Sequence, residues 1–205
     1  MKSLVRVLIS VCLASLFPGG SLSAAEEHSR FQIDEDAARA AIKLGQTEDV
    51  ESLQKFFEPY NELFRGVTDP PVERITLDTR FSRIATLAAT QHRTDHRYTE
   101  KEAFASTEEL EKNIVLRARM FFFTARTLEP GKDYRMRAYQ DDEELTAKFS
   151  DYQNYGAPPS GAAWHVELAF SVPLDELDTE QPLRIVLESP DGPKVDAVFD
   201  LAKLK

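Results

Sequence analysis

Cysteine is almost missing from this chain: its 205 residues hold one, Cys12, and that one lies in a segment patterned as a removable leader. No disulfide, thiolate metal site or cysteine nucleophile is therefore expected in the mature chain, and its core alone must hold the fold. Basic residues are the minority charge, 25 against 35 acidic, for a net charge of −10. That balance disfavours nucleic acid and anionic membrane surfaces as partners. Tryptophan occurs once, at Trp164. There is no Gly-x-Ser-x-Gly elbow, no phosphate loop and no dinucleotide fingerprint, so no familiar catalytic motif and no cofactor is expected.

The first residues have the three parts of a secretory signal. Met1 to Arg6 is a basic start, Val7 to Phe17 is apolar but too short for a membrane span, and Ser21 to Ala25 offers small residues for cleavage. Residues 1–25 are read as this signal peptide, which makes the protein secreted or periplasmic. Cleavage removes Lys2 and Arg6 and no acid, taking the net charge from −10 to −12.

Residues 31–66 carry helical periodicity. Asp34 can cap a helix over Glu35 to Leu44, with Lys43 in its last turn and Gly45 just past its end. Thr47 then opens a second helix with a stripe of Val50, Leu53, Phe56, Phe57, Tyr60, Leu63 and Phe64, interrupted at Pro59. These residues are expected to form a helical hairpin that either packs on the remainder or binds a partner.

Asp69-Pro70-Pro71 marks the boundary with a β-rich region over residues 72–205. Arg74 to Phe81 alternates, with Ile75, Leu77, Thr79 and Phe81 on one face. Arg83 to Ala89 fits a strand or a helical turn, Thr90 to Ala103 reads as an exposed polar loop, and Ser106 to Glu109 suits one capped turn. Ile114, Leu116, Ala118, Met120 and Phe122 share the apolar face of a long central strand, with Arg117 and Arg119 opposite. Further strands are expected at Tyr134 to Tyr139, Leu145 to Phe149, His165 to Val172, Leu183 to Leu187 and Val195 to Leu201. The last two are joined through Ser189-Pro-Asp-Gly192. Asp151 to Gly161 reads as a loop by composition.

Leu128-Glu-Pro130-Gly131-Lys-Asp-Tyr134 resembles the tyrosine corner of fibronectin type III domains. The resemblance implies a chain bending between two sheets, with the tyrosine hydroxyl bonded back to the backbone upstream. A hairpin with a Pro-Gly turn is the alternative, and both require antiparallel strands. The fold class is therefore mainly β: an antiparallel, Ig-like β-sandwich preceded by an N-terminal helical hairpin.

Four groups of residues invite chemistry. His92, Asp95 and His96 could ligate a metal if a helix put the histidines on one face, and a metal-dependent hydrolase would follow. Tyr152, Tyr155 and Trp164 could form an aromatic platform for a sugar or a peptide. Asp141 to Glu144 is read as a solvated turn, although a β-sandwich turn of this kind can hold calcium. Arg117, Arg119, Arg135 and Arg137 could form a basic stripe that acids such as Glu143, Glu167 and Asp196 neutralise. The expectation drawn from all this is a non-catalytic binding or assembly module of the bacterial envelope with a protein partner; a metal-dependent hydrolase and a carbohydrate-binding domain are its rivals.

Overall fold

The computed structural model describes residues 31–65, 71–122, 131–155 and 164–205. The leader expected at residues 1–25 and the first part of the motif that resembles a tyrosine corner, Leu128 to Pro130, lie outside them.

Among the described residues, nine strands make two antiparallel sheets. The strands are β1 (Asn61–Leu63), β2 (Val72–Asp78), β3 (Asn113–Phe122), β4 (Arg135–Gln140), β5 (Glu143–Leu145), β6 (Lys148–Asn154), β7 (Trp164–Pro173), β8 (Pro182–Glu188) and β9 (Lys194–Asp200). The larger sheet runs β1-β2-β3-β7-β6 and the smaller β5-β4-β8-β9. Alternation decides which faces meet. Ile75 and Leu77, then Leu116, Ala118 and Met120, then Val166, Leu168 and Phe170 leave the larger sheet on one side. They share a buried cluster with Ala138, Leu183, Ile185, Leu187, Ala197 and Phe199 of the smaller. At roughly 25 cal/mol per Å² of buried apolar surface, this shared interior is the dominant stabilising term.

The described residues also hold α-helices: α1 (Glu35–Gly45), α2 (Val50–Phe57), α3 (Arg80–His92) and α4 (Glu100–Ser106). The protein is thus a mixed helix and sheet structure, not mainly β. Two stretches account for the difference. Thr79 ends the β2 alternation because its side chain accepts from the Ser82 amide at 3.2 Å while Ser82 Oγ accepts from the Thr79 amide at 2.9 Å. This reciprocal cap starts α3, so Phe81 belongs to a helix and not to the strand. Thr99 and Glu102 make the same cap for α4 inside the polar run that composition alone reads as loop.

The helical hairpin expected at residues 31–66 is also corrected. α1 packs mainly on α3 and α4, through Ala38, Ala41 and Ile42 against Phe81, Ile84, Ala85, Ala88 and Ala103. α2 is shorter than its apolar stripe. Asp49 caps it, Pro59 opens a separate short turn at Glu58–Tyr60, and Leu63 lies in β1. Proline cannot continue a helix without losing a backbone hydrogen bond, and the chain turns extended after it. Phe56 and Phe57 then bridge the two clusters, with Phe56 ring centroids 5.2 Å from Tyr60 and 5.7 Å from Phe81.

Two turns show local chemistry. Gly192 has φ +96° and its amide donates to the Ser189 carbonyl at 3.0 Å, closing the β8–β9 connection. Between β4 and β5, Asp141 and Asp142 both take positive φ, 46° and 64°, the pattern of a two-residue hairpin. The charged run there is a tight turn. Asp151 to Asn154, expected as loop, belongs to edge strand β6.

Gly45 is the last residue of α1 and serves close packing. A Cβ there would overlap the Ala85 carbonyl oxygen and come 2.8 Å from Ala88 Cβ. Helix propensity alone would make Gly45→Ala stabilising by about 1 kcal/mol. Packing reverses the sign: parting α1 from α3 should leave the variant roughly 1–3 kcal/mol less stable, read as a lower urea midpoint. A raised midpoint would place the α1–α3 contact elsewhere.

Candidate functional site

The face of the larger sheet that points away from the shared interior is polar, and it is partly roofed by helices. Its central residue is Arg117 on β3, whose side chain is 11% exposed. Arg117 Nε donates to Asp78 Oδ2 on β2 at 2.8 Å, and its Nη1 to Glu167 Oε1 on β7 at 3.4 Å. Glu109 lies 3.8 Å from Nη2, and Arg83 of α3 reaches within 4.0 Å of Asp78. Burial pulls the Arg117 guanidinium toward losing its proton. Asp78, Glu167 and Glu109 outweigh that and hold its pKa above the usual arginine value.

Beside this hub, α2, α3 and the sheet enclose a groove of about 1140 Å³. Thr76, Asp78, Arg117 and Glu167 form its floor; Leu53 and Phe57 of α2 and Thr86 and Ala89 of α3 form its walls. Among the described residues five large apolar side chains are exposed, and three of them, Val50, Leu63 and Tyr155, rim this groove. A cluster of apolar rims around a polar floor is what a binding site presents, where scattered exposed residues need no explanation.

A β-bulge shapes the groove's end. Pairing of β2 with β3 shifts between Val72 and Arg74, so Glu73 is the extra residue. It comes within 3.2 Å of Arg119 Nε and 3.8 Å of His165 Nδ1. Arg74, next in the chain, sits directly opposite Arg119 in the ladder.

The sequence-predicted site residues are scattered. α3 ends at His92, so His92 and His96 do not share a helix face, and Asp95 takes a positive φ of 54° in the turn that follows. His96 Nε2 instead meets Glu102 Oε1 at 3.2 Å. Among the described residues, no three His, Cys, Asp or Glu side chains are grouped to hold a metal ion. The aromatic platform divides as well. Tyr152 packs against the shared interior, whereas Tyr155 lies on the groove side with its hydroxyl donating to Gln153 Oε1 at 2.9 Å. Trp164 pairs with Phe122 at the start of β7. The basic stripe is divided between sheets: Arg117 and Arg119 lie in the larger, Arg135 and Arg137 in the smaller. Glu167 pairs with Arg117 and Asp196 with Arg184, while Arg137 meets Glu144 and Glu188. Leu63 and the α2 wall belong to the stripe expected to pack or to bind a partner, whereas the place of Arg74 in the groove is what sequence reasoning missed. The bulge after Val72 leaves no composition signal.

The hub and the α4 cap each make a measurable prediction. Asp78→Asn leaves the buried Arg117 with one close carboxylate, and unfolding should become easier by about 3 kcal/mol, the cost of breaking a buried pair. Loss of no more than a surface pair's few tenths would contradict the hub. Glu102 is held at about 2 by hydrogen bonds from Thr99 and then His96. A carboxyl depressed below its ordinary value of 4.5 stabilises the fold above that pH and loses the contribution as pH falls toward 2. Glu102→Gln should therefore flatten the fall in melting temperature over that interval, followed by circular dichroism.

No protein-family model matches this chain, and a search of curated proteins finds no match either.

Proposed function

We propose that the chain is an exported, non-catalytic binding or assembly module of the bacterial envelope, built as an Ig-like β-sandwich whose outer face and helices form the binding surface. The sandwich reading is supported by the single buried cluster to which both sheets contribute. Export is supported by the signal pattern in residues 1–25. The observation that carries the binding reading is the placement of Val50, Leu63 and Tyr155. Exposed at 63%, 62% and 59%, they surround one groove.

The groove has the character of a docking surface more than of a reaction vessel. Its floor carboxylates are spent: Asp78 and Glu167 on Arg117. General acid–base work needs a titrating group within reach of a substrate, and these carboxylates already accept from an arginine. Apolar rims give affinity by leaving water, and polar floor groups orient what binds. A protein partner in the envelope is the occupant this reading assigns.

Photo-crosslinking in the native cell tests it. A photoreactive residue replacing Leu63 should give one dominant adduct. The same residue at Val198, which is 57% exposed on β9 and outside the groove, should give none. Equal labelling from both positions, or none from Leu63, would overturn the groove as the binding surface.

A further inference from the structure

The outer face of the larger sheet is short of acceptors. Among the described residues five buried side-chain polar atoms have no hydrogen-bond partner, and three of them, Arg74 Nε, Arg119 Nε and His165 Nδ1, occupy this face. Buried polar groups are satisfied in the great majority of cases, so three in one place ask for a cause. The local supply is Glu73 alone. It lies 3.2 Å from Arg119 Nε without hydrogen-bond geometry, and 3.8 Å from His165 Nδ1. The two other acids on the floor are committed to Arg117.

Arg74 is the outstanding member. It lines the groove, it stands directly across the ladder from Arg119, and no ion pair is formed by it among the described residues. Like charges directly opposite in a sheet are destabilising. A fold gains nothing by placing two arginines opposite each other when Glu73, the nearby carboxylate, approaches Arg119 and forms no ion pair with Arg74. A second carboxylate, arriving from outside, would complete the set. The groove lining carries Lys55, Arg74, Arg83, Arg93 and Arg117 against Glu51, Glu58, Asp78 and Glu167, an excess of one positive charge.

We propose that the groove's occupant is an acidic peptide segment of a partner protein, whose Asp or Glu carboxylate is received by the Arg74 guanidinium at the floor. This rests on the groove being the binding surface, as proposed above. The planar fork of arginine matches a carboxylate in two parallel hydrogen bonds, a geometry that lysine lacks. Val50, Leu63 and Tyr155 on the rim take apolar side chains of the same segment. Local complementarity works against the chain's overall net charge of −10. Long-range steering of an acidic partner is therefore weak, and recognition depends on contact at the floor.

The test is an array of capped octapeptides in which every Asp or Glu sequence is matched by its Asn or Gln counterpart, titrated against the full folded chain. Succinate and inorganic phosphate serve as free anions in parallel titrations. The best acidic peptide should bind at least about tenfold more tightly than its amide counterpart, as expected when a charge-assisted pair is replaced by a neutral one. Arg74→Gln should erase that ratio, and Arg74→Lys should restore only part of it. Because Arg74 faces Arg119, the melting temperature of Arg74→Gln should be unchanged or higher, which separates lost binding from lost folding. The proposal is overturned if no acid preference exists, if the preference survives Arg74→Gln, or if phosphate binds as tightly as the best peptide. Crosslinking from Leu63 separates the two readings. An adduct undiminished by Arg74→Gln retains the groove and rejects the acidic ligand, while no adduct in the parent chain rejects the groove itself.

Discussion

One ion cluster constrains the larger sheet more than any other contact: Arg117 held between Asp78 and Glu167. A guanidinium this far from water needs carboxylates, and these come from the strands on either side, β2 and β7. The cluster therefore pins three strands at once. It also specifies register. Arg117 pairs with Thr76 and Ala169 in the ladders, while its acids lie diagonally at Asp78 and Glu167. A slip of one residue would turn Arg117 into the apolar interior that Leu116 and Ala118 now fill and bring those two residues to the outer face. Hydrophobic burial drives the sheets together, and the buried arginine decides which pairing they adopt.

That division explains what could be read from the chain alone. Alternation in Ile114 to Phe122, His165 to Val172 and Val195 to Leu201 follows from faces of opposite polarity, and those segments are strands in the structure except for Leu201, which opens a short turn after β9. Alternation also ran on through Thr79 and Phe81, where it misled. The cap that ends β2 uses Ser82 at the third helical position, where an acid or amide is the usual sign. Residues 100–106 carry that sign, Thr99 with Glu102, yet α4 buries only Ala103 and so shows almost no apolar stripe. Composition cannot separate such a helix from a loop. β6 hides for a related reason: it is an edge strand whose residues are nearly all exposed, so neither face is marked.

The site was less legible than the fold because it is made of neighbours across strands. Arg74 and Arg119 are separated by 45 positions in the chain and stand opposite only through the β2–β3 register. The bulge at Glu73 that brings Glu73 and Arg74 to the same face adds one residue to a strand and nothing to its periodicity averaged over a window. Tyr152 and Tyr155 looked like one platform because they are close in sequence. Three positions along a strand put them on opposite faces, one inward and one toward the groove.

The groove's least anchored wall is α2, and its energetics fit a binding element. Eight residues are too few for a helix to persist in water without tertiary support. None of the eight is buried, and support comes from Phe56 and Phe57, stacked edge to face at 4.9 Å and leaning on Tyr60 and Phe81. Those rings tie α2 to both apolar clusters at its C-terminal end, while Val50 at the other end stands exposed on the groove's rim. Anchoring at one end leaves the opposite end to adjust by small rotations without disturbing either cluster. Elements that engage ligands are drawn from the less stable parts of a fold, because a segment must be able to move to accommodate what arrives. The floor beneath it is the reverse, fixed by Arg117 and its acids. On the proposed binding reading, a rigid charged floor beneath one adjustable apolar wall separates the two requirements of recognition, orientation by the floor and fit by the wall.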